Sequence, residues 1–354
     1  MSLVAPHKTI RVLVADDSAL MRRTFCRLLE EEPDLEVVGI ARDGLEAVEK
    51  ARDLHPDVVT MDLNMPRMDG LSALQVVLEE GLAQVLVVSS LSREGALVTF
   101  EALELGAFDC VEKPGGTISH SLETVREELV SKIRAASGSR HRKGERKPVP
   151  KPLGVKKGAL KTGMPFPAVA LGISTGGPRT IYDVLPHLPG DLNAAVFVVQ
   201  HMPPHFTGMY AERLDDACAL RVVEAERGMA VEPGVVYVGR GGYQLCVERW
   251  EEGLRVLLPT RPRSTFVPSV NVMMHSVLEI FGPRTVGVLM TGMGDDGAEA
   301  MGAIRQAGGY GIAESEETAV VFGMPAEAIR RGGADVSLPS YRIAAKIVEA
   351  VRKK

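Results

Sequence analysis

Short apolar runs alternate with amphipathic stretches over most of this chain, and many of the runs end abruptly in residues that carry chemistry. Runs such as 10–15, 58–61, 168–173 and 195–200 are too short to be buried helices, and helical periodicity follows several of them. That alternation is the mark of β-α units, and it restricts the chain to parallel sheets covered by helices on both faces. In such sheets the reacting groups gather at the carboxyl ends of the strands, so the residues that end the runs are where function is sought.

The alternation comes in two blocks. Between residues 135 and 163 lie nine Lys or Arg against one Glu, a net of +8 in a chain whose total is −5, so the remainder sums to −5 − 8 = −13. This stretch holds Pro148, Pro150, Pro152 and several glycines, with almost no large apolar residues, and cannot build a core. With no aromatic residue among its charges it reads as a solvated tether rather than a nucleic-acid or membrane contact. The 354 residues also exceed what one ordinary core organises. The expected division is a first domain over 9–135, a basic linker over 136–164 and a second domain over 165–354. No apolar run approaches the ~20 residues of a membrane span, and residues 1–9 lack a signal-peptide core. Cys26, Cys110, Cys218 and Cys246 are scattered, which argues against disulfides and a zinc site and for a reducing cytoplasm.

In the first block the expected strands are 10–15, 37–41, 58–61, 85–88 and 110–112, with helices over 19–29, 45–54, 71–78, 95–105 and 118–133. Asp16 and Asp17 follow the first strand, Asp62 the third, Ser89 and Ser90 the fourth, and Lys113 the fifth. Alone, Asp16 and Asp17 could simply cap a helix beside Ser18. Three converging carboxylates with a lysine and a hydroxyl opposite suggest more. Hard oxygen ligands suit Mg²⁺, which accepts a phosphate oxygen as a further ligand, and one carboxylate can then act as the nucleophile that becomes an aspartyl phosphate.

In the second block the expected strands are 168–173, 195–200, 235–238 and 286–290, with an antiparallel hairpin over 244–250 and 254–258. The first strand runs into Gly172-Ile173-Ser174-Thr175-Gly176-Gly177, a nucleophile-elbow spacing. A serine there is either a nucleophile or part of an anion-binding loop. The second strand ends in Gln200-His201, where a nucleotide fold usually keeps an acid for a ribose, and no phosphate-loop motif occurs in the chain. The fourth strand runs into Thr291-Gly292-Met293-Gly294-Asp295-Asp296. Ser174, His201 and the Asp295–Asp296 pair thus share one sheet edge, and they are the residue types needed to activate a hydroxyl. Thr175 and Met293 are candidate oxyanion donors or lining residues. His205 and His275 are weaker bases, His187 is expected to be exposed, and Trp250, Cys218 and Cys246 are expected to serve packing.

On these residues the first block resembles response-regulator receivers, through the stretch Met-Asp-Leu-Asn-Met-Pro-Arg-Met-Asp-Gly over 61–70. The resemblance implies a flavodoxin-like five-stranded parallel sheet, Asp62 as phospho-acceptor, Asp16 and Asp17 beside it as Mg²⁺ ligands, Ser89 as switch hydroxyl and Lys113 as phosphoryl contact. Cys110 stands where receivers commonly carry an aromatic residue. The second block resembles the protein-glutamate methylesterases of chemotaxis, which also deamidate glutamine. The matching stretches are 172–178, 200–207 and 291–298, although the family usually has an uncharged residue at Asp295.

That resemblance implies a doubly wound, mostly parallel α/β/α catalytic domain with a β-hairpin, and a triad of Ser174, His201 and Asp296 needing no cofactor. It implies chemoreceptor helices as substrate, a histidine kinase as phosphodonor, and no nucleic-acid or membrane insertion by a cytoplasmic monomer. It also implies a site occluded by the first domain until Asp62 is phosphorylated. Two other classes stand beside it: a response regulator whose second domain binds without catalysis, and a DNA-binding regulator. No helix-turn-helix pattern follows the linker to support the latter.

Overall fold

The structure, a computed structural model, describes residues 9–89, 93–114, 122–138, 166–251 and 253–354. The chain divides into two compact units, 1–144 and 145–354. Most of the basic segment expected as a linker, from 139 onward, lies outside the described residues, as does Ser90.

The first unit runs β1 (Ile10–Ala15), α1 (Ala19–Glu30), β2 (Leu35–Ala41), α2 (Gly44–Leu54), β3 (Val58–Asp62), α3 (Gly70–Glu79), β4 (Gln84–Ser89), α4 (Arg93–Leu105), β5 (Asp109–Glu112) and α5 (Leu122–Gly138). Its sheet is parallel throughout in the order β2-β1-β3-β4-β5, the flavodoxin-like arrangement. Polar side chains punctuate the helices: Ser18, Asp43 and Asp69 cap α1, α2 and α3 by accepting backbone N–H bonds. The last helix differs from expectation. It continues to Gly138, three residues into the stretch expected to be linker, and residues 118–121 of the expected helix lie outside the described residues.

The second unit runs β6 (Ala168–Ile173), α6 (Gly177–Thr180), β7 (Ala195–Gln200), α7 (Thr207–Ala217), β8 (Arg221–Glu224), β9 (Val235–Val238), β10 (Cys246–Trp250), β11 (Gly253–Leu257), α8 (Val270–Phe281), β12 (Thr285–Leu289), α9 (Ala298–Gln306), β13 (Tyr310–Glu314), α10 (Met324–Arg330), β14 (Val336–Leu338) and α11 (Ser340–Arg352). Seven strands form a sheet ordered β14-β13-β12-β6-β7-β9-β8 in which every pairing is parallel. Strands β8, β13 and β14 escape the sequence pattern because they are short and partly polar. β6, β7 and β12 are buried along their whole length, as expected for central strands with helices on both faces. The hairpin β10–β11 forms its own two-stranded sheet. It is held against α8 by Ser276, whose Oγ accepts the Val247 N–H at 2.8 Å.

One minor expectation changes. His187 closes a short 3-10 turn, Leu185–His187, and is half-buried rather than exposed. Trp250 is 43% exposed at the hairpin tip and packs against the Arg255 guanidinium, 5.0 Å from its ring centre. Among the described residues no helix is long and apolar enough to cross a membrane.

Candidate active site and candidate phosphoryl site

In the second sheet, β6 lies between β7 and β12, so the chain leaves β6 to one side and later returns on the other. The crevice at such a switch point is where open α/β sheets bind ligands. Ser174 follows β6, His201 follows β7, and Asp296 lies in the loop after β12. The turn at Ser174 depends on two glycines. Gly176 has φ +76°, a backbone region that other residues rarely enter. Gly292 leaves no room for a side chain: a Cβ there would lie 2.8 Å from Ser174 Cβ and 2.2 Å from Met324 Sδ.

The structure brings these three expected residues together. His201 Nδ1 lies 3.1 Å from Ser174 Oγ, and His201 Nε2 lies 2.8 Å from Asp296 Oδ2. The Asp296 carboxylate can only accept, so it draws the ring proton to Nε2 and leaves Nδ1 with a lone pair facing the serine hydroxyl. Asp296 is buried and receives three further hydrogen bonds. They come from Ser269 Oγ at 2.8 Å, Val270 N at 2.7 Å and Asn271 N at 2.9 Å, all at the N-terminus of α8. Burial acts to raise the Asp296 carboxyl. His201 and the two backbone donors outweigh it and hold the group below the ordinary carboxylate range. Asp295 faces elsewhere, exposed and paired with Arg331.

Several supporting residues were not legible as functional. The Phe266 ring stacks on His201, with centroids 4.0 Å apart and planes 8° from parallel. Gln244, fully buried, donates to Pro262 O at 3.1 Å and Ser264 Oγ at 2.9 Å and accepts the Ser269 N–H at 2.8 Å, fastening the segment that carries Phe266. Gln200 donates to Ser174 O at 3.0 Å. Only Ser269 left a signal, as a serine immediately before an amphipathic run. Thr175 is buried beside the nucleophile, its carbonyl accepting from Thr291 Oγ1 at 2.9 Å. Met293 is half-buried beside Gly292. His205 and His275 are exposed, and His275 faces Glu299 at 3.9 Å. Burial raises the thiols of Cys218 and Cys246, in keeping with packing roles.

In the first unit, Asp16 and Asp17 follow β1 and Asp62 ends β3. Each offers an oxygen within 4.8 Å of the others. Lys113 Nζ lies 2.8 Å from Asp16 Oδ2 and 2.9 Å from Asp62 Oδ2. Burial raises the Asp62 carboxyl, with Lys113 opposing and Asp16 reinforcing the shift. Burial acts to lower Lys113, but its two carboxylate partners prevail and raise it. Ser89, buried at the end of β4, lies beside Lys113, whose N–H donates to Ser89 O at 2.9 Å. The donor set is all hard carboxylate oxygen and Asp17 is open to solvent, which fits a partly hydrated Mg²⁺. Cys110 is half-buried, its thiol pushed up to about 12 by burial and Asp109.

Comparison with known proteins gives one family for each unit. Residues 169–347 match the CheB methylesterase family and residues 12–122 the response regulator receiver domain family. The protein-glutamate methylesterase/protein-glutamine glutaminase 3 of Syntrophomonas wolfei is 54% identical over 97% of this chain and all of that protein. The corresponding protein of Caldanaerobacter subterraneus is 49% identical over 98% of each. The crystal structure of the CheB methylesterase catalytic domain of Thermotoga maritima superposes with a TM-score of 0.51 at 40% identity, covering 52% of this chain and 99% of that one.

Proposed function

The chain belongs to the CheB methylesterase family and carries a response regulator receiver domain, and from that premise we propose that Ser174, His201 and Asp296 hydrolyse glutamate methyl esters on chemoreceptors under control of phosphorylation at Asp62. The observation that carries this reading is the bridging of Ser174 Oγ and Asp296 by one imidazole, at 3.1 and 2.8 Å.

Ser174 Oγ attacks the ester carbonyl carbon while His201 Nδ1 takes the hydroxyl proton. Asp296 stabilises the imidazolium through Nε2. The oxyanion is held by backbone N–H groups of the surrounding loops, for which Thr175 and Met293 are the candidates. Collapse of the intermediate passes the Nδ1 proton to the departing methanol and leaves an acyl-serine. Water, deprotonated by Nδ1, then releases the glutamate. A glutamine side chain follows the same course with ammonia as the leaving group, which accounts for deamidation in the same site. No cofactor enters these steps.

Chemoreceptor helices that present glutamate are acidic, and the rim beside His201 suits them. Arg240, Arg261 and Arg263 are exposed and form no ion pair with another described residue. They lie on the loop before Gln244 and on the segment that carries Phe266.

In the receiver, Asp62 accepts the phosphoryl group of a histidine kinase, with Lys113 and Ser89 contacting its oxygens. Asp16, Asp17 and Asp62 would hold Mg²⁺, which would neutralise the gathered negative charge. Methanol release from methylated receptors tests the reading, assayed with and without a small phosphodonor. Ser174→Ala and His201→Ala should each abolish turnover, and Asp62→Asn should remove the response to the phosphodonor. Near wild-type turnover in either of the first two variants would refute the triad.

A further inference from the structure

Glu314, the last residue of β13, is wholly buried and takes no part in the chemistry above. Its Oε2 accepts the Thr291 N–H at 2.8 Å, and its Oε1 lies 2.8 Å from Thr318 Oγ1. Among the described residues no cation faces it, and the ionisable neighbour that acts on it is Asp183, a like charge from the turn Ile181–Asp183. The residue it grips is the hub of the nucleophile turn. Thr291 accepts the Ser174 N–H through its carbonyl at 2.9 Å and donates its hydroxyl to Thr175 O at 2.9 Å. The same hydroxyl accepts the Val321 N–H at 2.9 Å. Ser174 and Thr175 therefore hang from Thr291, and Thr291 hangs from Glu314.

We propose that Glu314 is a positioning residue for Ser174, and that it acts as a neutral, protonated acid. A bare carboxylate sealed in this core beside Asp183 would be an uncompensated buried charge. The Thr318 hydroxyl already accepts the Ser340 N–H at 2.8 Å and can turn to accept the Glu314 proton as well. Burial, reinforced by Asp183, pushes the Glu314 carboxyl up to about 7 against the pull of Thr318 and Thr291. When Glu314 ionises, hydration of the charge draws the side chain from its corner, Thr291 loses its anchor, and the Ser174 turn loosens. The inference rests on Ser174 being the nucleophile.

The test is kcat and KM for methyl-ester hydrolysis by the full chain between pH 6 and 9.5, for the wild type, Glu314→Gln, Glu314→Ala and Ser174→Ala. Glu314→Ala should lower kcat about tenfold with little change in KM, as expected for a lost hydrogen bond acting through geometry. Glu314→Gln, neutral at every pH, should restore most of that loss. Its kcat relative to wild type should climb above neutrality by at most about tenfold per pH unit. A ratio flat in pH, or a Glu314→Ala kcat within about twofold of wild type, overturns the proposal while Ser174→Ala stays inactive. Turnover surviving in Ser174→Ala overturns the nucleophile reading beneath it.

Discussion

Ser269 donates its hydroxyl to Asp296 at 2.8 Å, and that carboxylate also holds the imidazole of His201. One residue thus serves two ends, since Ser269 is also the N-cap of α8. Ser269→Ala should lower both stability and kcat, with KM nearly unchanged. The stability loss should be about 1.5–3 kcal/mol, the range for a hydrogen bond to a charged group. The pH dependence has a definite sign. Asp296 is held below its ordinary value, so its stabilisation is complete above about pH 4 and lost as pH falls through its lowered folded value. The gap between wild type and Ser269→Ala in urea titrations should therefore be widest near pH 7 and close toward pH 3. A gap independent of pH would show that Ser269 acts as a cap alone.

Phe266, itself 37% exposed, covers one face of His201 from a segment exposed to solvent. The stacked ring limits the tilt of the imidazole and keeps water off one face. Phe266→Ala should lower kcat several-fold, about 1 kcal/mol in barrier height, while Phe266→Tyr keeps most of the activity. Equal kcat for the alanine and tyrosine variants would mean the ring is incidental to catalysis.

Much of the site was legible because its residues end strands. Ser174, His201 and Asp62 each stop an apolar run, and that position is informative before any contact is known. The choice between Asp295 and Asp296 was settled only by family register until the structure turned one toward Arg331 and the other toward His201. Gln244, Phe266, Thr291 and Glu314 each act through at least one partner 20 or more residues away in the chain, so no local pattern announces them. Glu314 does end a strand, but β13 begins Tyr310-Gly311 and is too short and polar to stand out as a central strand.

Glu314 bears on stability as well as on rate. Its folded value, about 7, lies above the ordinary glutamate value of 4.5. Its contribution is therefore complete below that ordinary value and is lost as pH rises through the folded one. Glu314→Gln should gain stability relative to wild type between pH 5 and 8, by up to about 3 kcal/mol, and the difference should level off above that. Melting temperatures of the two proteins that shift in parallel across this range would contradict the sign.

Arg261 and Arg263 stand on the rim that carries Phe266, without acidic partners among the described residues. Reversing one charge should weaken an acidic substrate and leave the chemistry alone. Arg263→Glu is expected to raise KM for methylated receptor several-fold at low salt, with kcat little changed. The penalty should shrink as ionic strength approaches about 0.5 M, because exposed charges are screened within a few ångströms there. An effect on kcat, or one insensitive to salt, would place Arg263 in a structural role instead.

Lys113 neutralises Asp16 and Asp62 from within. It holds one oxygen of each of two carboxylates that would hold a divalent cation, so the lysine and the metal would compete for Asp16 and Asp62. Lys113→Ala should lower the stability of the metal-free receiver, because three carboxylates then face one another with only water between them. The same variant should gain more from Mg²⁺ than the wild type does, since binding no longer displaces an internal ammonium. Thermal unfolding of both proteins over a Mg²⁺ titration checks this, read in the receiver's transition. The expected result is a lower melting temperature without Mg²⁺ and a larger upward shift with it. A shift equal to or smaller than wild type would mean that Lys113 and the metal do not compete for these carboxylates.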